Sequence, residues 1–200
     1  MKETRDKIIL KALQYSTEND YEGASLEKIA GSIGITKGGI YHYFKSKDEL
    51  FHECIVFMFS TVDSVASSMV PDDISLEGMV RGLFSFEELF NVLADMFDID
   101  MLNDYFNYAY LMFAGIKKFP DLKNMVGDIY SSILLGLEKA LIGYQRKGEL
   151  SSDFDCGALA FELGSMMEGA MLVSGFSRSV DIKKIGNSMA DDVIAMLKGK

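Results

Sequence analysis

Proline occurs twice in 200 residues and tryptophan not at all. So little proline leaves few helix breakers, and the apolar residues recur at helical spacing, which predicts an all-α chain. Cysteine is scarce too. Cys54 and Cys156 form neither a CxxC pair nor a metal-ligand spacing, so no disulfide framework or metal centre is expected and both read as free thiols. The longest apolar runs, such as 108–116, are about half of what a bilayer span requires, and no apolar stretch follows a basic start. The expectation is a cytoplasmic protein with no signal peptide and no membrane partner. No nucleophile elbow, HExxH or phosphate loop is present, and no cofactor is expected. These absences argue against an enzyme.

What is present is 48% hydrophobic residues and a net charge of −10. The charge is uneven. Residues 1–50 hold eight Lys/Arg and eight Asp/Glu, so they are neutral; residues 51–200 hold twelve against twenty-two and supply the whole −10. The acidic part repels phosphate, so only the first segment is suited to nucleic acid.

Within that segment Ile8, Ile9, Ala12, Leu13 and Tyr15 stripe a first helix, with Thr4 as its cap and Asn19-Asp20 as its end. Tyr21 returns to the core. Ser25 caps a second helix to about Ile33, and Gly34 supplies a turn needing positive φ. Thr36 caps a third, from Lys37 to about Phe44, with Ile40 and Phe44 facing inward. Gly38 and Gly39 stand in its first turn at roughly 1 kcal/mol each in helix propensity. Clearance for entering a major groove explains that cost, with a loosely wound turn as the alternative. Tyr41, His42 and Tyr43 cannot all be buried, and exposed aromatics with polar tips suit phosphates and thymine methyls. The alternative for Tyr43 is packing on the next helix. Ser46-Lys47-Asp48-Glu49 is a capping box opening the fourth helix, with Lys47 placed against the helix dipole.

From Thr4 to Phe51 the chain resembles the TetR family of transcriptional regulators. Arg5, Ile8-Ile9, Ala12-Leu13, Tyr21, Ser25, Ile29-Ala30, Gly34-Ile35-Thr36, the run from Lys37 to Phe44, and Lys47 with Leu50 carry the resemblance. The chain departs from the family pattern at Ser16, where an aromatic is usual, and at Asp20, where glycine is usual. The resemblance implies a homodimer, with a helix-turn-helix DNA-binding domain at 1–47 and a helical ligand-binding and dimerisation domain at 48–200, about nine or ten helices in all. It implies phosphate contacts at Ser25, Thr36, Tyr41, His42 and Lys47, and base reading at Lys37, Gly38 and Gly39.

The remaining chain divides into a long fourth helix ending before Pro71, a loop at Pro71-Asp72-Asp73, and helices near 75–83, 85–97, 100–118, 122–147, 154–176 and 181–197. Pro120 is expected to end one helix and Asp121 to cap the next. Small residues crowd 154–176, so helices 122–147 and 154–176 are expected to pair with their copies in a dimer. Adaptable or large apolar side chains at Phe57, Met96, Tyr105, Tyr108, Met112, Tyr130 and Met166 are the expected lining of a site for an unknown small effector, against ordinary core as the alternative. The resulting expectation is a repressor bound to a palindromic DNA operator and released by a small apolar or amphipathic ligand. The alternative is a DNA-binding dimer whose C-terminal domain binds a protein partner.

Overall fold

A computed structural model describes residues 3–68, 74–99, 101–177 and 180–199. Among them are ten helices and no strand: α1 (Thr4–Gly23), α2 (Leu26–Ser32), α3 (Lys37–Tyr43), α4 (Lys47–Ser68), α5 (Leu76–Leu83), α6 (Phe86–Phe97), α7 (Met101–Lys118), α8 (Pro120–Lys147), α9 (Cys156–Phe176) and α10 (Ile182–Leu197). The expected all-α class is what the chain adopts. The loop expected at Pro71-Asp72-Asp73 lies outside the described residues.

Local chemistry sets most of these boundaries. Ser25, Thr36, Ser75, Asp155 and Asp181 each accept a hydrogen bond from an amide in the first turn of the helix that follows. Gly34 (φ 73°) and Gly148 (φ 75°) occupy left-handed turns after α2 and α8. Three boundaries differ from expectation; α9, expected from residue 154, starts at Cys156 behind its Asp155 cap. The first helix does not stop at Asn19-Asp20 but continues to Gly23, and the Asn19 amide donates to the Tyr15 carbonyl one turn back. Asp121 does not cap α8. Pro120 opens that helix, where its missing N–H costs nothing, and Asp121 lies in the first turn.

The chain forms two compact units. The first comprises Met1–Thr61 with Val92–Val126 and the second Val62–Asn91 with Gly127–Lys200. This packing partition cuts α4, α6 and α8 and follows a different line from the division by role expected at residue 47.

In the first unit α1 packs on both α2 and α7. Ile8, Ile9, Ala12 and Leu13 of α1, Leu26, Ile29 and Ala30 of α2, and Ile40 of α3 are buried. Phe51, Cys54, Ile55 and Met58 of α4 and Tyr108 and Leu111 of α7 are buried as well. A Cβ at Gly115 would fall 2.6 Å from Ile55 Cγ1, so the missing side chain is what lets α7 approach α4. Ser16, one of the two departures from the family pattern, is buried in α1.

In the second unit α10 packs on α5. A Cβ at Gly186 would lie 2.2 Å from the Phe84 carbonyl oxygen, which fixes this approach even more tightly. Tyr144 donates to the Ile74 carbonyl (3.0 Å), and Glu149 accepts the Leu76 amide (2.9 Å), tying the end of α8 to the start of α5. Arg81–Asp191 and Lys198–Glu77 ion pairs link α5 with α10 at 3.0 and 2.9 Å. Gly157 and Gly164 of α9 face Glu138 and Leu134 of α8, whereas a Cβ at Gly127, Gly136, Gly143 or Gly169 would meet open space. Part of the small-residue content therefore serves contact within the chain. By length and composition α9 is the one described helix long and apolar enough to cross a membrane, a property that core helices of globular proteins share, and its Leu159, Leu163 and Met171 are buried within the chain.

Candidate nucleic-acid interface

The candidate reader is α1–α3 with the first turns of α4. Ile40 and Phe44 are each 1% exposed and anchor one face of α3 among α1 and α2 residues. With a helical period of 3.6, that anchoring turns the intervening residues outward. Tyr41 and Tyr43 are 46% and 41% exposed, and His42 is exposed beside them. The His42 and Tyr43 rings meet edge to face at 5.3 Å, and Tyr43 stays on the surface rather than burying itself on the next helix. Thr36 and Lys37 are exposed at the other end of the same helix. Thr36 Oγ1 accepts the Gly39 amide at 3.1 Å.

Neither glycine of the first turn is crowded. A Cβ at Gly39 would meet the Ile35 side chain at 3.4 Å, an ordinary van der Waals contact. A Cβ at Gly38 would meet nothing nearer than Thr36 Oγ1 at 3.6 Å. Nothing in the fold therefore demands glycine at position 38.

Two charged features were not foreseen from the sequence. Lys37 Nζ donates to Glu27 Oε1 at 2.6 Å, across α2 and α3. The other Glu27 oxygen accepts the Ser25 hydroxyl at 3.2 Å. The Lys37 bond, with smaller help from a backbone hydrogen bond and from Ser25, holds the Glu27 carboxyl below its ordinary range; the same pair raises Lys37. Glu27 lies two residues after one expected contact and ten before another. That spacing gives no warning, because only the packing of α2 on α3 brings the groups together.

The second feature surrounds Tyr21. It does not sink into the core but remains half-exposed, its ring 4.5 Å from Phe51. Lys47 Nζ lies over it at 4.6 Å and Lys118 Nζ at 4.3 Å. The Tyr21 hydroxyl donates to Asp48, which also pairs with Lys118 at 3.1 Å. These contacts hold the Asp48 carboxyl low, the tyrosine bond first and Lys118 second. Lys47 thus has compensation inside the chain for standing in the first turn of α4. Ser46 Oγ accepts the Glu49 amide at 3.0 Å, but Glu49 reaches back to the Lys45 amide instead of closing the box on Ser46. Arg5 is held at 2.6 Å by Glu53 with its guanidinium over Phe44.

The residues expected to line an effector site fall in both units. In the first, the Phe57 ring meets Phe97 at 5.7 Å and Phe97 meets Tyr108 at 5.6 Å. Phe97, which the sequence reading passed over, joins two of the expected residues. Met112 is half-buried and Met96 exposed. The Tyr105 side chain lies outside the described residues. In the second unit Met166 is exposed, and the exposed Tyr130 donates to Glu168 at 3.0 Å. Burial raises the Glu168 carboxyl, partly offset by that bond. Among the described residues no group of three or more His, Cys, Asp or Glu stands together.

Residues 8–54 match the family model described as bacterial regulatory proteins, tetR family. The chain is 27% identical over 96 residues to the biofilm operon HTH-type negative transcriptional regulator IcaR of Staphylococcus epidermidis, covering 48% of this chain and 47% of that protein. It is 28% identical over 83 residues to IcaR of Staphylococcus aureus strain Newman, covering 41% and 45%. The matches thus span about half the length of these curated relatives. The fold is shared along nearly the whole chain. A TetR-family transcriptional regulator from Mesorhizobium loti superposes with a TM-score of 0.71 at 20% identity, covering 96% of this chain and 95% of that one. FadR from Bacillus subtilis, solved in complex with stearoyl-CoA, gives 0.69 at 17% identity, covering 98% of each. Residues 8–54 thus resemble the tetR family of bacterial regulatory proteins, and the chain as a whole shares its fold with a solved TetR-family regulator.

Proposed function

We propose that this chain is a homodimeric, sequence-specific DNA-binding repressor of transcription that a small apolar or amphipathic ligand releases from a palindromic operator. The observation that carries the reading is α3. Its inner face is locked by Ile40 and Phe44, while Thr36 and Lys37 are exposed at its glycine-bearing first turn and Tyr41, His42 and Tyr43 at its far end. Lys37, Gly38 and Gly39 meet base edges. Ser25, Thr36, Tyr41, His42, Tyr43 and Lys47 meet the backbone and thymine methyls. The segment 1–47 is the DNA-binding domain and 48–200 serves ligand binding and dimerisation, in a cytoplasmic protein. The negative role is favoured by the naming of both staphylococcal relatives as negative regulators.

Dimerisation is supported by surface chemistry. Phe161, Val173 and Phe176 on α9 and Leu135 on α8 are more than half exposed, and several neighbouring glycines have open space above them. A second copy covering α8 and α9 would bury them. That pairing sets two recognition helices roughly 34–36 Å apart, one turn of DNA. The ring cluster Phe57–Phe97–Tyr108, with Met112 in the same unit, supports an apolar effector; Met96, Tyr105, Tyr130 and Met166 complete the proposed set. The stearoyl-CoA bound in the FadR complex is an amphipathic molecule of the proposed chemical kind, though the likeness to FadR carries the fold alone.

Selecting DNA from a random pool with the full-length protein tests the reading. A palindrome with half-sites one turn apart is the expected product, protected in footprinting and released by a long-chain acyl ligand in a titration series. A pool that yields no enriched sequence overturns it.

A further inference from the structure

Glu27 engages two groups expected to hold DNA, Lys37 and Ser25, one with each carboxylate oxygen. All three residues are accessible; the Lys37 and Glu27 side chains are 45% and 64% exposed. We propose that Glu27 is a built-in competitor for these donors and so a specificity-determining residue of the reader. This rests on the DNA-reading function proposed above and concerns how that reader discriminates.

The physical argument starts from non-specific binding. A protein grips any duplex by facing cations to phosphates and releasing the counterions those phosphates held. A lysine whose charge is already cancelled by an adjacent carboxylate releases none. Glu27 therefore subtracts Lys37 from the sequence-independent grip of a segment that is already neutral over residues 1–50. An exposed ion pair is also weak and easily exchanged. Where a base edge offers a well-placed acceptor pair, such as guanine O6 and N7, Lys37 leaves Glu27 for it. A diffuse phosphate field offers no such geometry. The carboxylate thus lowers affinity for all DNA but lowers it least for the correct sequence.

The experiment compares the full-length parent with Glu27→Gln, Glu27→Asp, Lys37→Met and the Glu27→Gln/Lys37→Met double variant. Each is titrated with the selected duplex and with a scrambled duplex of equal length across a salt series. Glu27→Gln should bind the scrambled duplex several-fold more tightly, with a salt slope steeper by about 0.9 per reader engaged. Its gain on the selected duplex should be smaller, so the ratio between the two falls. Glu27→Asp, which keeps the charge, should stay near the parent on the scrambled duplex. Lys37→Met should lose affinity for both duplexes, since Glu27 then faces phosphate alone, and Glu27→Gln should steepen the salt slope less in the Lys37→Met background than in the parent, because no lysine is then released. Unchanged affinity and slope in Glu27→Gln, or strictly additive effects of the two substitutions, overturn the proposal while leaving the DNA-reading function standing. An altered preference at one base pair with unaltered scrambled-duplex binding overturns it too, because Glu27 would then read a base itself. If the parent enriches no duplex, both proposals fall.

Discussion

Gly38 separates two demands that a helix normally makes together. The fold leaves room for a side chain there, and replacing glycine by alanine inside a helix gains roughly 1 kcal/mol. Gly38→Ala should therefore raise the unfolding midpoint while weakening operator binding at least tenfold, because the methyl occupies the gap between α3 and the groove floor. Paired thermal melts and mobility shifts check this, and stronger binding would remove the clearance argument. Lys37 and Lys47 are distinguished in the same way. Lys37→Ala should flatten the sequence preference, whereas Lys47→Ala should weaken all sequences alike. Lys47 already rests on Tyr21, so its removal also takes away a cation–π contact inside the chain. A binding assay over a panel of single-base operator variants separates the two outcomes.

At the level of elements, two glycines mark where helices touch. Gly186 of α10 faces the backbone oxygen of Phe84, which cannot rotate away. Gly186→Ala should lose about 1–3 kcal/mol from overpacking, exceeding the roughly 1 kcal/mol gained in helix propensity. Chemical denaturation reads the difference. Gly115→Ala on α7 meets only the Ile55 side chain, and should cost less. The junction of α1, α4 and the α7–α8 turn responds to acid instead. Asp48 is held low by Tyr21 and Lys118, and Asp121 by His52 at 2.7 Å. A depressed carboxyl contributes stability above its unfolded value, here the ordinary 3.8, and that contribution is lost as pH falls through the folded value. The unfolding midpoint should therefore fall below about pH 4. Tyr21→Phe should flatten that decline, as melts from pH 3 to 7 would reveal.

For the whole molecule the prediction concerns the apolar surface of α9. Phe161 and Val173 are 64% and 59% exposed on a helix whose Leu159, Leu163 and Met171 are buried within the chain. Phe161→Glu with Val173→Glu should leave the helical content intact and convert a dimer into a monomer by light scattering at micromolar concentration. Operator affinity should fall with it, because two neutral readers held in register bind far better than one. A parent that is monomeric at that concentration would end the dimer proposal.

Much of this protein was legible as a string because its signals are local. Caps at Ser25, Thr36, Ser75 and Asp181, positive-φ glycines at 34 and 148, and the inward pair Ile40 and Phe44 all act within one or two turns of themselves. Helix boundaries and the outward face of α3 follow from them. What depended on distant segments was not legible. The Glu27–Lys37 pair exists only because α2 packs on α3, and Tyr21 is held on the surface by lysines that α4 and the end of α7 bring to it. Phe97 joins Phe57 and Tyr108 across three helices. The sequence by itself determined a helical chain with a helix-turn-helix reader, since period, capping and turn chemistry are written in neighbouring residues. Only the tertiary structure decided which charges of that reader are already engaged and which helices touch through a missing side chain, since both are distances between groups the chain order keeps apart.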